Sequence, residues 1–119
     1  MEQEKRKITA QKLKKVYPSS IDIAIRYYSI LSAINDLHLT EREIQLVAFT
    51  ALKGNISYST NREEFCTTYK SSGPTINNMI SKLKKTGLLV KDSGKIKVNP
   101  AILLPFENDI VLQLNLLHG

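Results

Sequence analysis

Apolar residues recur with helical spacing in four stretches of the chain, and short extended patterns follow them. After the break at Pro18-Ser19-Ser20, Ile21, Ala24, Tyr28, Leu31 and Ile34 share one face and predict a long first helix. Ile25, Tyr27, Ile30 and Leu37 add apolar positions on other sides, so this helix is either the central core helix or also meets a partner subunit. Thr40-Glu41-Arg42-Glu43 is a capping box, in which the hydroxyl and the carboxylate satisfy each other's terminal backbone donors. Ile44, Val47, Ala48, Ala51 and Leu52 follow on one face, giving a second helix that ends before Gly54. A second box, Thr60-Asn61-Arg62-Glu63, opens a short helix through Phe65, Cys66 and Tyr69. Lys70 to Gly73 makes a tight turn, and Pro74 opens a fourth helix without sacrificing an internal hydrogen bond. Its apolar face is Ile76, Met79, Ile80 and Leu83, and Gly87 supplies the left-handed stop.

Extended segments complete the pattern. Leu88 to Lys91 and Lys95 to Val98 read as two short strands around Asp92-Ser93-Gly94, and Asn55 to Tyr58 could add a third. Near the C-terminus Ile110, Leu112, Leu114 and Leu116 alternate with Val111, Gln113, Asn115 and Leu117, the period of a strand. Such a strand either pairs within the domain or offers an edge to another chain. The expected fold class is mainly α with a small β-hairpin (α+β), with a long N-terminal helix and a candidate C-terminal strand. The expected organisation is an arm over 1–17, one domain over 18–105 and a strand-like extension over 106–119.

Composition narrows the chemistry. At 119 residues and 42% apolar content the chain can close one core unaided. The single Cys66 forms no internal disulfide, and with His38 and His118 it makes no four-ligand zinc site, so a reducing cytoplasm is the expected location. No apolar run approaches the roughly 20 residues of a membrane span, and the N-terminus opens on charges, without a signal-peptide core. No glycine-rich phosphate loop or nucleophile motif is present, so neither a cofactor nor catalysis is implied. Cys66 reads as a small core residue, and the Glu41/Glu43 and Glu63/Glu64 pairs sit where helix dipoles favour carboxylates.

The net charge of +6 is unevenly spread. Residues 1–17 carry six basic and two acidic groups, and residues 70–97 carry seven basic groups against Asp92 alone. Residues 18–69 and 98–119 each carry a net of −2. Two segments that could meet phosphates are thus separated by an acidic middle.

On the fourth helix, Asn78, Ser81 and Lys85 lie opposite the apolar face, with Asn77, Lys82 and Lys84 on its flanks. Asn can bond adenine bidentately, Ser can donate or accept, and Lys can meet guanine or phosphate. Asn77, Asn78 and Ser81 are the candidates for base edges, and Lys82 and Lys85 for phosphates. Ser71, Ser72 and Thr75 surround the helix N-terminus, which favours a phosphate, although capping alone equally explains Ser72. Lys91, Lys95 and Lys97 would extend the footprint along the hairpin, and the N-terminal arm could fold upon binding.

Residues 39–100 resemble the winged helix-turn-helix superfamily, in particular MarR-type regulators and plasmid replication-initiation proteins. The resemblance rests on LTEREIQLVAFTAL before the motif, NREEFCTTY as its first helix, and Gly73-Pro74-Thr75-Ile76-Asn77-Asn78 leading to Leu83-Lys84-Lys85-Thr86-Gly87-Leu88-Leu89. It implies duplex-DNA binding, with the helix over 74–86 in the major groove and the wing over 88–98 near the backbone. The wing is short and lacks a tip arginine, and the C-terminal segment has a strand period where MarR-type proteins have a dimerisation helix. That family's dimer geometry and effector pocket are therefore not carried over. The expected function is duplex-DNA binding in transcription regulation or replication, as a monomer or homodimer. The alternative is a winged-helix interaction or assembly module, such as a virion or complex subunit. Abundant Ile, Asn and Lys would suit an AT-rich phage or other mobile element.

Overall fold

The computed structural model describes residues 7–119. Lys5 and Arg6 of the basic arm lie outside the described residues. Residues 7–17 adopt no helix or strand and are almost wholly exposed.

Among the described residues, four helices precede a two-stranded antiparallel hairpin, so the fold is mainly helical with a small sheet (α+β). The order is α1 (Ser20–Ile34), α2 (Glu41–Lys53), α3 (Ser59–Tyr69), α4 (Gly73–Lys85), β1 (Leu89–Asp92) and β2 (Lys95–Val98), followed by a short 3-10 turn over Pro100–Ile102. α2 is the central helix, because Leu46 through Thr50 are all buried. The amphipathic pattern of α1 serves a narrower purpose: it buries Ala24, Tyr28 and Ser32. Of the two readings of its broad apolar surface, α1 contributes to the core through Ala24 and Tyr28, with Ile21, Ile25 and Leu31 packed against it, beside the central α2.

Local signals explain most boundaries. The first capping box forms as expected, with Thr40 Oγ1 accepting from the Glu43 amide at 3.1 Å and Glu43 Oε1 accepting from the Thr40 amide at 2.8 Å. The second does not form. α3 starts at Ser59 with Tyr58 in the cap position, so Thr60 already lies inside the helix. No side chain caps α3; the buried Asn55 side chain instead orders the segment before it, accepting from the Ser57 and Tyr58 amides at 2.9 and 3.0 Å. At the end of α4, Gly87 has φ +80°. There the Leu88 amide bonds the Leu83 carbonyl and the Gly87 amide bonds that of Lys84, a Schellman closure with Leu83 and Leu88 both buried.

The hairpin register pairs Leu89 with Val98 and Asp92 with Lys95. Ser93 and Gly94 both have positive φ, at 53° and 78°, as a two-residue type I′ turn requires. The Asn55–Tyr58 segment meets β2 through the Ile56 amide on the Ile96 carbonyl at 2.9 Å and the Ile96 amide on Ser57 Oγ at 2.7 Å. Its contact is real but too short to be a third strand.

Two aromatic groups close the core. Phe49, Phe65 and Tyr69 join α2 to α3. Tyr27 and Tyr28 pack on the buried Phe106, and Tyr28 Oη donates to the Ile102 carbonyl at 2.8 Å, anchoring the chain after the hairpin. The expected C-terminal strand is absent among the described residues: residues 109–119 adopt no helix or strand and pair with neither strand of the hairpin. An alternating pattern forms a strand only where a backbone edge is available, and Ile56 and Ser57 already occupy part of the β2 edge.

Candidate nucleic-acid interface

α3 is closed by Lys70 at its C-cap, whose φ of 54° turns the backbone sharply, and the Ser71 amide closes the turn on the Cys66 carbonyl at 3.1 Å. Ser72 caps α4: its hydroxyl accepts from the Thr75 amide at 3.3 Å and lies 2.9 Å from Thr75 Oγ1. Ser72 and Thr75 are exposed, whereas Ser71 is half-buried. The two hydroxyls occupy the exposed N-terminal turn where helix dipole and free backbone donors are concentrated.

The apolar face of α4 is buried as the spacing predicts, through Ile76, Met79, Ile80 and Leu83. Asn77, Asn78, Ser81, Lys82, Lys84 and Lys85 are exposed. They divide into two groups. The side chains of Asn78, Ser81, Lys84 and Lys85 make no hydrogen bond or ion pair among the described residues. Asn77 and Lys82 are already engaged, each by a residue distant in the chain.

Lys82 Nζ lies 2.9 Å from Glu43 Oε1, the same oxygen that caps α2. Burial would raise the Glu43 carboxyl, but the hydrogen bonds from Lys82 and Thr40 and the nearby ammonium outweigh it and hold the group below its ordinary value. The pair is asymmetric: the Glu43 side chain is 8% exposed and that of Lys82 is 44% exposed. Lys82 therefore ties α4 to the start of α2 while its ammonium still reaches solvent.

Asn77 Oδ1 accepts from Arg62 Nη1 at 2.7 Å, and Arg62 Nε donates to the Ile56 carbonyl at 2.9 Å. Arg62 thus holds together the segment before α3, α3 itself and the outer side of α4. Sequence reasoning assigned Arg62 only to a capping box. Its standing as the one cation on α3, facing a helix of amides and lysines, was the available signal.

On the hairpin, Lys91 is exposed and forms no ion pair among the described residues. Lys95 Nζ lies 4.9 Å from the centre of the Tyr58 ring, and Lys97 is 3.5 Å from Asp92. α4 and the hairpin are continuous through Gly87 and Leu88, and Asn99 Nδ2 fastens the end of β2 to the Gly87 carbonyl at 2.9 Å. α4 and the hairpin each carry exposed lysines, and the helix face is least encumbered at Asn78, Ser81, Lys84 and Lys85.

Among the described residues no cluster of His, Cys, Asp and Glu could hold a metal ion, and no helix is long and apolar enough to cross a membrane. Comparison with protein families, curated proteins and solved structures finds no match to this chain.

Proposed function

We propose that the protein binds duplex DNA through a winged helix-turn-helix, with α4 in the major groove and the β1–β2 hairpin on the sugar-phosphate backbone. The observation that carries this reading is the outer face of α4, where Asn78, Ser81 and Lys85 are exposed without bonded partners beside Lys84. A helix face fits a major groove when its polar side chains can reach base edges and its cations can reach phosphates. Asn78 is the principal base reader, Ser81 an adaptable second, and Lys85 meets guanine or phosphate. Lys84, Lys91 and Lys95 serve the backbone, and Ser71, Ser72 and Thr75 surround a phosphate at the helix N-terminus. Asn77 and Lys82 keep secondary contacts, because Arg62 and Glu43 hold them; Lys97 is similarly drawn toward Asp92. The role is regulatory or replicative.

The experiment is selection of bound sequences from a random duplex library, repeated with Asn78→Ala. A shared motif is expected, with discrimination at one position relaxed by about 1–3 kcal/mol in the variant. Recovery of unenriched sequences with both proteins would refute specific reading by α4. The alternative reading, an interaction or assembly module, is favoured by the exposed apolar side of α1, which uses different residues.

A further inference from the structure

Of the thirteen large apolar side chains that stand exposed among the described residues, ten belong to the N-terminal arm, α1 or residues 111–117. On α1 they extend an outer stripe. Ile23, Tyr27, Ile30 and Ile34 follow a 4-3-4 spacing beside the face of Ala24 and Tyr28; Ile23 and Tyr27 are half-buried against the core, and Ile30 and Ile34 are 39% and 51% exposed. The C-terminal segment carries the complementary pattern. Its backbone makes no backbone hydrogen bond among the described residues from Asp109 to Leu117. Its apolar residues alternate, and Leu114 and Leu116 stand 56% and 83% exposed.

We infer that residues 109–117 pair antiparallel with the same segment of a second copy of this chain, about a twofold axis at Gln113, and that the aliphatic face of this ribbon packs on the outer stripe of α1. In that register Ile110 faces Leu116 and Leu112 faces Leu114, so one face is wholly aliphatic. The other face sets Gln113 against Gln113 and Val111 against Asn115. Self-pairing meets no like-charge opposition, because no charged residue lies between Ile110 and Leu117. The same neutrality argues against a phosphate-bearing partner, which would require cations. A lone two-stranded ribbon is marginal in water and needs an apolar layer beneath it. That layer adjoins the tail: Ile110 and Leu112 line a cleft of about 470 Å³ together with Ile23 and Tyr27 of α1. Lys14, Lys15 and Asp109 lie at the same cleft, so opposite charges flank its apolar floor. The inference stands apart from the DNA-binding proposal, since none of these residues belongs to α4 or the hairpin.

The test is sedimentation velocity of the full chain at tens of micromolar, with disulfide trapping in a Cys66→Ser background. A dimer is expected, and Leu112→Glu/Leu114→Glu should be a monomer with an unchanged circular dichroism spectrum, since both positions lie outside the buried core. Gln113→Cys should cross-link to its own copy under mild oxidation. Asn115→Cys should not, because in this register the two copies of residue 115 lie about 13 Å apart, beyond disulfide reach. A wild-type monomer, a dimer that survives the double substitution, or equal cross-linking at both positions would overturn the inference. So would a monomer whose double variant loses binding to anionic vesicles or to duplex, which would assign the tail to a membrane or to nucleic acid.

Discussion

The Glu43 carboxylate accepts from both the Thr40 amide and the Lys82 ammonium, coupling the start of α2 to the outer side of α4. Removing it with Glu43→Ala deletes half of a capping box and should cost about 1–2 kcal/mol in urea unfolding. Glu43→Gln keeps an acceptor for Thr40 and loses only the charge opposite a half-exposed lysine, so its cost near neutral pH should stay below about 1 kcal/mol. The carboxyl is held below its ordinary value of 4.5 in the folded protein. The unfolded state therefore takes up the proton first, and the contribution is complete above the ordinary value and lost as pH falls through the lower, folded one. Wild-type stability should fall more steeply than that of Glu43→Gln as pH falls below the ordinary carboxylate value. Parallel profiles in acid urea titrations would show that the Lys82 pair contributes nothing.

Among the elements, the α4-to-β1 junction sets the angle between helix and hairpin through one residue. Gly87 holds φ +80° with open space where a Cβ would stand, so a side chain there meets backbone strain and no clash. Gly87→Ala should cost about 1 kcal/mol and lower Tm by about 5 °C, while Gly87→Asn should lose less, as asparagine tolerates this conformation. An unchanged melting temperature for Gly87→Ala would contradict the closure described. This stop was legible in the sequence, as were the four helices and both hairpin strands, because apolar spacing, Thr40-to-Glu43 capping and glycine stops act within a few residues. The exposed face of α4 followed from the same spacing. Features depending on distant partners were not legible: Glu43 and Lys82 are 39 residues apart, and Arg62 and Asn77 are 15 apart. The box at Thr60 failed because α3 starts at Ser59, which places Thr60 inside the helix, and the bonds of Asn55 that order the preceding segment lie outside the four-residue pattern. The alternation after Asp109 was legible, but whether it forms a strand depends on an edge that no local pattern can supply.

At the scale of the whole molecule, cations and exposed apolar side chains are unevenly spread. α4 and the hairpin carry cations and no large exposed apolar side chain among the described residues, α1 and the C-terminal segment carry exposed apolar side chains and few charges, and the arm carries both. That distribution suits a protein that meets a polyanion with one part and another protein with a different part. The most direct test of the polyanion side is the salt dependence of random-duplex binding, followed by fluorescence anisotropy, for wild type and for Lys84→Ala/Lys85→Ala/Lys91→Ala. Each phosphate neutralised contributes about −0.9 to the log-log slope. Wild-type affinity should therefore fall steeply with salt, and the triple variant should bind more weakly with a slope shallower by about 2–3. Equal slopes and equal affinities for the two proteins would contradict the assignment of this face to DNA.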